Sequence, residues 1–232
     1  MRVFSIGDLH LPGAGDKPMD RFGQNWERHS DQIAANWREN VSPEDIVLLP
    51  GDFSWAMHLK DTEQDFAYLE ELPGTKVMIR GNHDYWWNSL SKVRAMLPGS
   101  VHVIQNDHFS LNNVHVCGTR GWICPGASAF GEDDQKLYDR EFARLALSIK
   151  GLPEGGLRLA MLHYPPFNDK WAASGFSEQF EKAKIDIVLY GHLHGRSCRG
   201  AFEGIRNGVE YHLVSADHLG FQPKLIREFS NK

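Results

Sequence analysis

No stretch of the 232-residue sequence approaches the roughly 18 consecutive apolar residues of a membrane-spanning helix. The chain enters an apolar, strand-like run at residues 2–6, from which we expect no signal peptide. Cysteine is scarce as well. The three cysteines, Cys117, Cys124 and Cys198, form no CxxC pair, which argues against a disulfide framework. We therefore expect a cytoplasmic protein without a membrane span.

Positive charge is not concentrated anywhere in the sequence. Lysine and arginine number 25 against 30 aspartates and glutamates, and the net charge is −5. This balance does not favour non-specific binding of duplex nucleic acid. The hydrophobic share of 41% and the charged share of 24% are those of an ordinary globular protein. Without repeats, low-complexity tracts or linkers, the sequence predicts a single domain over residues 1–232.

Histidine, by contrast, is abundant, with 12 residues. Many histidines fall in short polar clusters that each follow an apolar, strand-like run. Because ligands bind beyond the carboxyl ends of strands in open α/β sheets, we expect these clusters to meet at one edge. A single histidine or Gly-Asp would belong more often to an ordinary turn. The five clusters, in chain order, are Asp8 with His10, Gly51-Asp52, Asn82-His83-Asp84, His163, and His192 with His194.

The first hundred residues alternate between strand-like and helical patterns. Each apolar run leads into a polar loop and then into a segment with helical spacing. This order favours parallel strands joined as βαβ units. The strands are predicted at residues 3–6, 46–49 and 76–79, and the helices at residues 25–40, 61–71 and 89–96.

The middle of the chain has a different pattern. Short apolar runs at residues 101–104, 108–111 and 114–117 are separated by Asn/Asp turns, which predicts antiparallel strands in a second or mixed sheet. The clearest helix follows at residues 133–150, where apolar residues form one stripe. Further strands are predicted at residues 157–162, 185–190, 211–215 and 224–229, with a helix at residues 177–184.

Taken in chain order, the five clusters form the sequence pattern D-x-H, G-D, G-N-H-[DE], H and G-H-x-H. In this pattern the sequence resembles the calcineurin-like metallophosphoesterase superfamily, and the resemblance spans residues 8–194. It implies a four-layer α/β/β/α sandwich of two mostly mixed β-sheets flanked by helices. It also implies a phosphohydrolase that uses two divalent metal ions.

The resemblance assigns ligands to both ions. Nitrogen and oxygen ligands without thiolates suit Mn, Fe, Zn or Co and argue against a purely structural zinc site. In such two-metal sites a bridging hydroxide attacks phosphorus in line. Asp8, His10 and His194 would hold one ion, Asn82, His163 and His192 the other, and Asp52 would bridge them.

His83 matches the histidine of the family that is not a metal ligand, and Asp84 matches its orienting carboxylate. Kept protonated by Asp84, His83 is expected to stabilise the transition state or to protonate the leaving oxygen. Arg120 and, close to the motif, Arg80 are the basic residues best placed to meet a phosphate oxygen. His58 has no assigned role, and neither has His218.

Aromatic residues lie close to several clusters. They either wall a cleft for the organic part of a substrate or pack beneath the loops, and packing is the commoner role of aromatic side chains. The residues concerned are Trp55, Trp86, Trp87, Trp122 and Tyr164.

Departures from known subfamilies narrow the substrate class. Residues 53–56 read Phe-Ser-Trp-Ala where protein Ser/Thr phosphatases carry Asp-Arg-Gly, and lipid A precursor hydrolases often have arginine in place of His83. A small phosphorylated substrate remains, and both monoesters and diesters stay open, as does the oligomeric state. A catalytically silent scaffold or a phospho-ligand-binding protein is the alternative. The complete ligand set and the His83–Asp84 pair favour the enzyme.

Overall fold

The computed structural model describes residues 1–15, 19 and 23–229. Two sheets form its centre. In the five-stranded sheet, with the order β11-β1-β2-β3-β4, four strands run parallel and β11 pairs antiparallel with β1. Its strands are β1 (Arg2–Ser5), β2 (Ile46–Leu49), β3 (Thr75–Met78), β4 (Val101–Val103) and β11 (Lys224–Glu228). The helices between the parallel strands are α1 (His29–Asn40), α2 (Glu63–Glu70) and α3 (Leu90–Met96).

The six-stranded sheet has the order β5-β6-β7-β8-β10-β9. Its four inner strands run parallel, and the two edge strands are antiparallel to their neighbours. The strands are β5 (Phe109–Leu111), β6 (Val114–Thr119), β7 (Leu157–Leu162), β8 (Ile187–Tyr190), β9 (Gly204–Arg206) and β10 (Val209–Leu213). Helix α4 (Asp134–Ile149) joins β6 to β7, and α5 (Gly175–Lys182) joins β7 to β8.

The sheets stack face to face, and helices cover their outer faces. Val3 of β1 packs between the sheets, whereas the neighbouring Phe4 packs with the helices, because successive strand residues point to opposite faces. Trp37 of α1 and Phe66 of α2 complete the outer core of the five-stranded sheet. Phe180 of α5 does the same for the six-stranded sheet. The protein is therefore the α/β/β/α sandwich that the sequence predicts.

The prediction for residues 101–104 is wrong. Strand β4 pairs in parallel with β3 instead of forming an antiparallel strand with the runs that follow it. The reason is the crossover connection through α3. This helix carries the chain back to the edge of the sheet at which β3 begins, so β4 runs in the same direction as β3. The next two strands, β5 and β6, do form an antiparallel hairpin, and Asn112 in its turn has a left-handed backbone with φ of 52°.

The helix predicted over residues 25–40 begins later, at His29. Gln24–Trp26 form a short 3-10 helix, and Arg28 has a left-handed backbone with φ of 50°, which separates the two helices. This break matters for the site, because it places Trp26 against the predicted ligands His10 and His194, at ring distances of 6.0 and 5.7 Å.

Across the described part of the chain, no helix is long and apolar enough to cross a lipid bilayer. The three cysteines are free. Burial raises the pKa of the Cys117 thiol and of the Cys124 thiol to about 12. Both thiols are therefore protonated at neutral pH, the form that is inert as a nucleophile.

Candidate metal centre

Two loops, which follow β1 and β2, run side by side beyond the ends of their strands. The N–H of Asp8 donates to the carbonyl of Gly51 at 3.0 Å, and the N–H of His10 donates to the carbonyl of Asp52 at 3.0 Å. Asp8, His10 and Asp52 all have left-handed backbones, with φ of 56°, 45° and 52°. This conformation is uncommon for residues with a side chain. The paired loops hold it and bring three polar side chains to one edge of the sheet.

The first ligand group consists of Asp8, His10 and His194, whose ligand atoms lie within 4.8 Å of one another. Nε2 of His194 is 3.5 Å from Nε2 of His10 and 3.6 Å from Oδ1 of Asp8. Nδ1 of His194 donates to Oδ1 of Asp217 at 2.8 Å. This bond fixes the ring so that Nε2 faces the other two ligands. The three residues assigned to one metal ion thus converge.

The second ligand group consists of Asn82, His163 and His192. Oδ1 of Asn82 lies 2.6 Å from Nε2 of His163 and 2.8 Å from Nδ1 of His192, and the two nitrogens are 3.3 Å apart. Oδ2 of Asp52 lies 3.4 Å from Nε2 of His163 and 3.8 Å from Nε2 of His10. Asp52 therefore lies between the two groups, where a bridging ligand is expected.

The donor set fits divalent cations. Nδ1 of His163 donates to the carbonyl of Pro50 at 3.0 Å, so its Nε2 presents a lone pair to Oδ1 of Asn82 only 2.6 Å away. A cation between these two acceptors removes their repulsion. In addition, the Asp8 and Asp52 carboxylates are 0% and 1% exposed, and no lysine or arginine among the described residues pairs with them. Buried carboxylates need such a counter-charge.

Three of the four histidines of the two ligand groups, His10, His163 and His192, are held neutral. Burial lowers the pKa of His163 to about 3, although its hydrogen bond to the Pro50 carbonyl opposes this effect. Burial and then the neighbouring His163 lower the pKa of His192 to about 3. Burial likewise lowers the pKa of His10 well below its usual value. A neutral imidazole is the form that binds a metal ion.

Two other groups show that the centre has an excess of negative charge. Burial lowers the pKa of His194, but hydrogen bonds to Asp217 and Asp8 outweigh burial and raise it to about 10. Burial raises the pKa of Asp52 well above its usual value, and the charges of Asp84 and Asp8 raise it further. A positive ion at this place would be stabilised by the same charges.

A cleft of about 400 Å³ opens onto both ligand groups. His83 lines the cleft, and its ring lies 5.8 Å from the His10 ring and 4.5 Å from the Trp55 ring. The backbone N–H of His83 donates to Oδ1 of Asp52 at 2.8 Å. His83 is thus fixed beside the ligands, on the side of the cleft that Trp55 covers.

Asp84 is 0% exposed and lies beneath the loops that follow β2 and β3. Its two oxygens are occupied by five N–H donors at distances from 2.7 to 3.2 Å. These contacts tie the two loops to each other. The donors are the backbone N–H groups of Asp52, Phe53, Ser54 and Gly81 and the indole of Trp86.

Arg120 does not line the cleft. Its guanidinium lies 3.5 Å from Oε1 of Glu141 and 4.6 Å from the centre of the Trp122 ring, and its side chain is 13% exposed. Burial lowers its pKa. The backbone of Arg120 does support the centre, because its carbonyl accepts the N–H of His163 at 3.0 Å. A direct contact between Arg120 and substrate remains a prediction of the sequence.

The aromatic residues near the motifs divide into two classes. Trp86 and Trp87 are 0% and 1% exposed and belong to the outer core of the five-stranded sheet. Trp55 lines the cleft and stacks on His10 at a ring distance of 4.8 Å. Tyr164 lies 4.1 Å from the His192 ring, and Trp122 packs behind it. Aromatic side chains therefore occur both in the cleft wall and in the packed core, and their contact with a substrate stays a prediction.

Sequence reasoning missed Asp217 and Trp26. Asp217 accepts hydrogen bonds from His194 Nδ1 and, at 2.9 Å, from the backbone N–H of Gly195. A signal for Asp217 exists, since it follows the apolar end of β10 as the other clusters follow their strands. Trp26 gave no such signal, because nothing in its local pattern separates it from an ordinary helix-face tryptophan.

Three comparisons relate the chain to known proteins. The family model of the calcineurin-like phosphoesterases matches residues 1–196. The Gene 66 protein of Mycobacterium phage D29 is 24% identical over 205 residues, which cover 88% of this chain and 84% of the phage protein.

Among solved structures, the phosphopantetheinyl hydrolase PptH of Mycobacterium tuberculosis has a TM-score of 0.60 at 12% identity, over 97% of this chain and 95% of the hydrolase. The Aquifex aeolicus protein AQ665, of unknown function, has a TM-score of 0.51 at 16% identity, over 97% and 95% of the two chains. At these identities the likeness shows a shared fold.

Proposed function

The chain belongs to the calcineurin-like phosphoesterase family, and from this premise we propose that it is a metal-dependent hydrolase of a small phosphorylated substrate. The two ligand groups would hold two divalent ions, with Mn, Fe, Zn or Co suited to their nitrogen and oxygen donors. Asp52 would contact both ions. The bond that is cleaved is a phosphomonoester or a phosphodiester.

One observation carries this proposal. Loops from both sheets bring the seven predicted ligand residues close together, and the acceptor atoms of Asn82 and His163 face each other across 2.6 Å. Such an arrangement is costly in the absence of cations and is favourable with them. A silent scaffold would have no reason to retain it, and a cleft that opens onto it gives a substrate access.

When bound, the divalent ions supply Lewis acidity and lower the pKa of a coordinated water. The chain provides the remaining groups. We assign His83 to the leaving oxygen, which it protonates or stabilises from its place on the cleft wall. Trp55 and Trp26 cover the same side of the centre and limit the access of water to it.

Asp84 is assigned a positioning role. Because five N–H donors already occupy its carboxylate, its main effect is exerted on the two loops. Through them it fixes the backbone N–H of His83, which donates to Asp52. This differs from the sequence-based expectation that Asp84 acts on the His83 ring itself.

The first experiment compares hydrolysis of para-nitrophenyl phosphate and bis-para-nitrophenyl phosphate after reconstitution with Mn²⁺. A preference for the monoester directs the search to phosphorylated small molecules, and a preference for the diester directs it to cyclic nucleotides and lipid diesters. If neither ester is cleaved while two ions per chain are bound, the enzyme proposal is refuted. A phospho-ligand-binding role would then replace it.

A second experiment tests His83. His83→Ala is expected to lower turnover by about 10²–10⁴, the usual range for loss of a general acid or base, with metal content unchanged. His58→Ala, which removes an exposed histidine outside the cleft, is the matched control and is expected to leave turnover unchanged. Equal turnover of the two variants would remove His83 from the mechanism.

A cytoplasmic location stays a prediction from the sparse cysteines.

A further inference from the structure

A second cavity, of about 330 Å³, adjoins the cleft. The two cavities share His192, so the second one begins at a residue of the second ligand group. We call it the apolar pocket. Most of its wall is apolar or aromatic, and its large side chains include Tyr164, Phe167, Trp171, Leu193 and Phe202.

Polar groups around the apolar pocket are used to hold its walls. Nδ2 of Asn168 donates to the Pro125 carbonyl at 3.0 Å, and the Asp169 carboxylate accepts the N–H of Ser128 at 3.1 Å. These two bonds join the loop after β6 to the loop after β7. No lysine or arginine occurs among the described residues that line the pocket. The lining itself offers no counter-charge to an anionic group, and the nearby Arg206 guanidinium is engaged by the Trp171 carbonyl and the Phe167 ring, so the pocket suits an uncharged, apolar occupant.

Trp171 at the rim has a backbone that is unusual for a bulky residue. Its φ is 55°, in the left-handed region, and its side chain is 47% exposed. The indole N–H donates to the Gly200 carbonyl at 2.9 Å, and the Arg206 guanidinium donates to the Trp171 carbonyl. A strained backbone persists only where surrounding contacts hold it, and such positions cluster at ligand sites. Here the contacts hold a large apolar ring at the mouth of the pocket.

We infer that the apolar pocket binds the organic group of the substrate, and that this group is an alkyl chain or a comparable uncharged apolar unit. The inference rests on the proposed function, because it places the phosphate at the two ligand groups. Tyr164 links the two sites, since its ring packs on His192 at 4.1 Å. At roughly 30 Å³ per non-hydrogen atom, the pocket accommodates about ten of them.

The test uses methyl-, butyl- and hexylphosphonate, whose carbon–phosphorus bonds resist hydrolysis. Their binding to the Mn²⁺-reconstituted protein is measured by isothermal titration calorimetry. Each methylene that enters an apolar site strengthens binding about fourfold, so Kd should fall roughly 60-fold from methyl to butyl. A further fall is expected for hexylphosphonate, which the pocket still accommodates.

A blocking variant assigns this effect to the pocket. Ala127→Phe places a ring in the lining and should abolish the gain with chain length while leaving the Kd of methylphosphonate unchanged. Ala173→Phe introduces the same side chain at an exposed position outside the lining, and it should behave as the wild type.

The outcomes separate this inference from the proposed function. Chain-length-dependent binding without hydrolysis of either nitrophenyl ester supports the apolar pocket and overturns the phosphohydrolase. Hydrolysis combined with equal Kd values for methyl- and hexylphosphonate overturns the apolar pocket and supports the phosphohydrolase. A gain that persists in Ala127→Phe, or no binding of any phosphonate, also overturns the apolar pocket.

Discussion

The two sheets contribute to the metal centre in different ways. The five-stranded sheet presents four of the predicted ligands. Asp8, His10 and Asp52 lie on loops that are hydrogen-bonded to each other and are at most 3% exposed, whereas Asn82, after β3, is partly buried. The six-stranded sheet presents His163 in the buried interior. The other two predicted ligands from this sheet, His192 and His194, lie on a more open loop after β8. The His194 side chain is 34% exposed.

The contacts behind the ligands differ in the same way. On the five-stranded side, two buried carboxylates join the loops: Asp84 accepts five hydrogen bonds, and Asp65 accepts from Gly13 and Ser54. On the six-stranded side, Asp217 accepts from His194 and Gly195. More hydrogen bonds to buried carboxylates tie the loops of the five-stranded side, here called the fixed side, than those of the six-stranded side, here called the open side. We predict that the open side adapts more readily to a bound ion.

Asp52→Asn should have the largest effect, because Asp52 lies between the ligand groups. Bound metal is expected to fall from two ions per chain to one or fewer, and turnover by at least about 10³-fold, since loss of an ion removes several kcal/mol of transition-state stabilisation. The metal-free variant should unfold at no lower temperature, because a buried charge that is repelled by Asp84 and Asp8 is gone. Metal analysis and calorimetry measure these effects.

Asp139→Asn on the exposed surface of α4 is the control for the two variants tested for metal binding, Asp52→Asn and Asp217→Asn. If Asp52→Asn kept two ions, Asp52 would not be the ligand that both groups share.

Asp84→Asn tests the fixed side of the centre. The amide that replaces one oxygen would point an N–H group at backbone donors, and hydrogen bonds to a charged group contribute about 1.5–3 kcal/mol. We expect the metal-free protein to lose about 3 kcal/mol of unfolding free energy in urea. A variant that is as stable as the wild type would show that the loops do not depend on this carboxylate.

Asp217→Asn tests the open side and should have a smaller effect on folding. Partners that orient a metal-binding histidine typically change metal affinity by about 10–100-fold, and the same loss is expected here at the first ligand group. The free energy of unfolding should fall less than in Asp84→Asn, because Asp217 accepts two N–H groups whereas Asp84 accepts five. A competition assay with a chelator measures the affinity. A large loss of stability would contradict the division into fixed and open sides.

Asp65 gives the fixed side a pH dependence in the weakly acidic range. Burial raises the pKa of Asp65 from 3.8 to about 6. A carboxyl group whose pKa is higher in the folded state contributes stability below its unfolded pKa and loses that contribution as pH rises through its folded pKa. Raising the pH from 5 to 7 is therefore expected to lower the free energy of unfolding by about 1 kcal/mol.

The measurement is the free energy of unfolding of the metal-free wild type minus that of Asp65→Asn, followed across pH 5 to 7. The difference should fall toward higher pH. A difference that is constant with pH would mean that Asp65 ionises normally in the folded protein.

Much of the fold could be predicted because the signals are local. Apolar runs followed by polar clusters predicted β1, β2, β3, β7 and β8 and the edge at which their loops meet. The partner of β4 could not be read from its three residues, since it depends on the path of α3 through space. The same limitation applies to the contacts of Asp84: its position in the motif is visible in the sequence, but its five donors come from two loops that only the folded chain brings together.

Two glycines, Gly81 and Gly191, leave space for carboxylates of the metal centre, which the sequence alone does not reveal. Gly81 and Gly191 do not have left-handed backbones. Instead, a methyl group on Gly81 would overlap the Asp52 carboxylate, and one on Gly191 would overlap the Asp8 carboxylate. Each carboxylate thus occupies the volume that a side chain would need. Even the smallest side chain at either glycine would displace a predicted metal ligand, so genetic screens for inactive protein should recover alanine at these two codons.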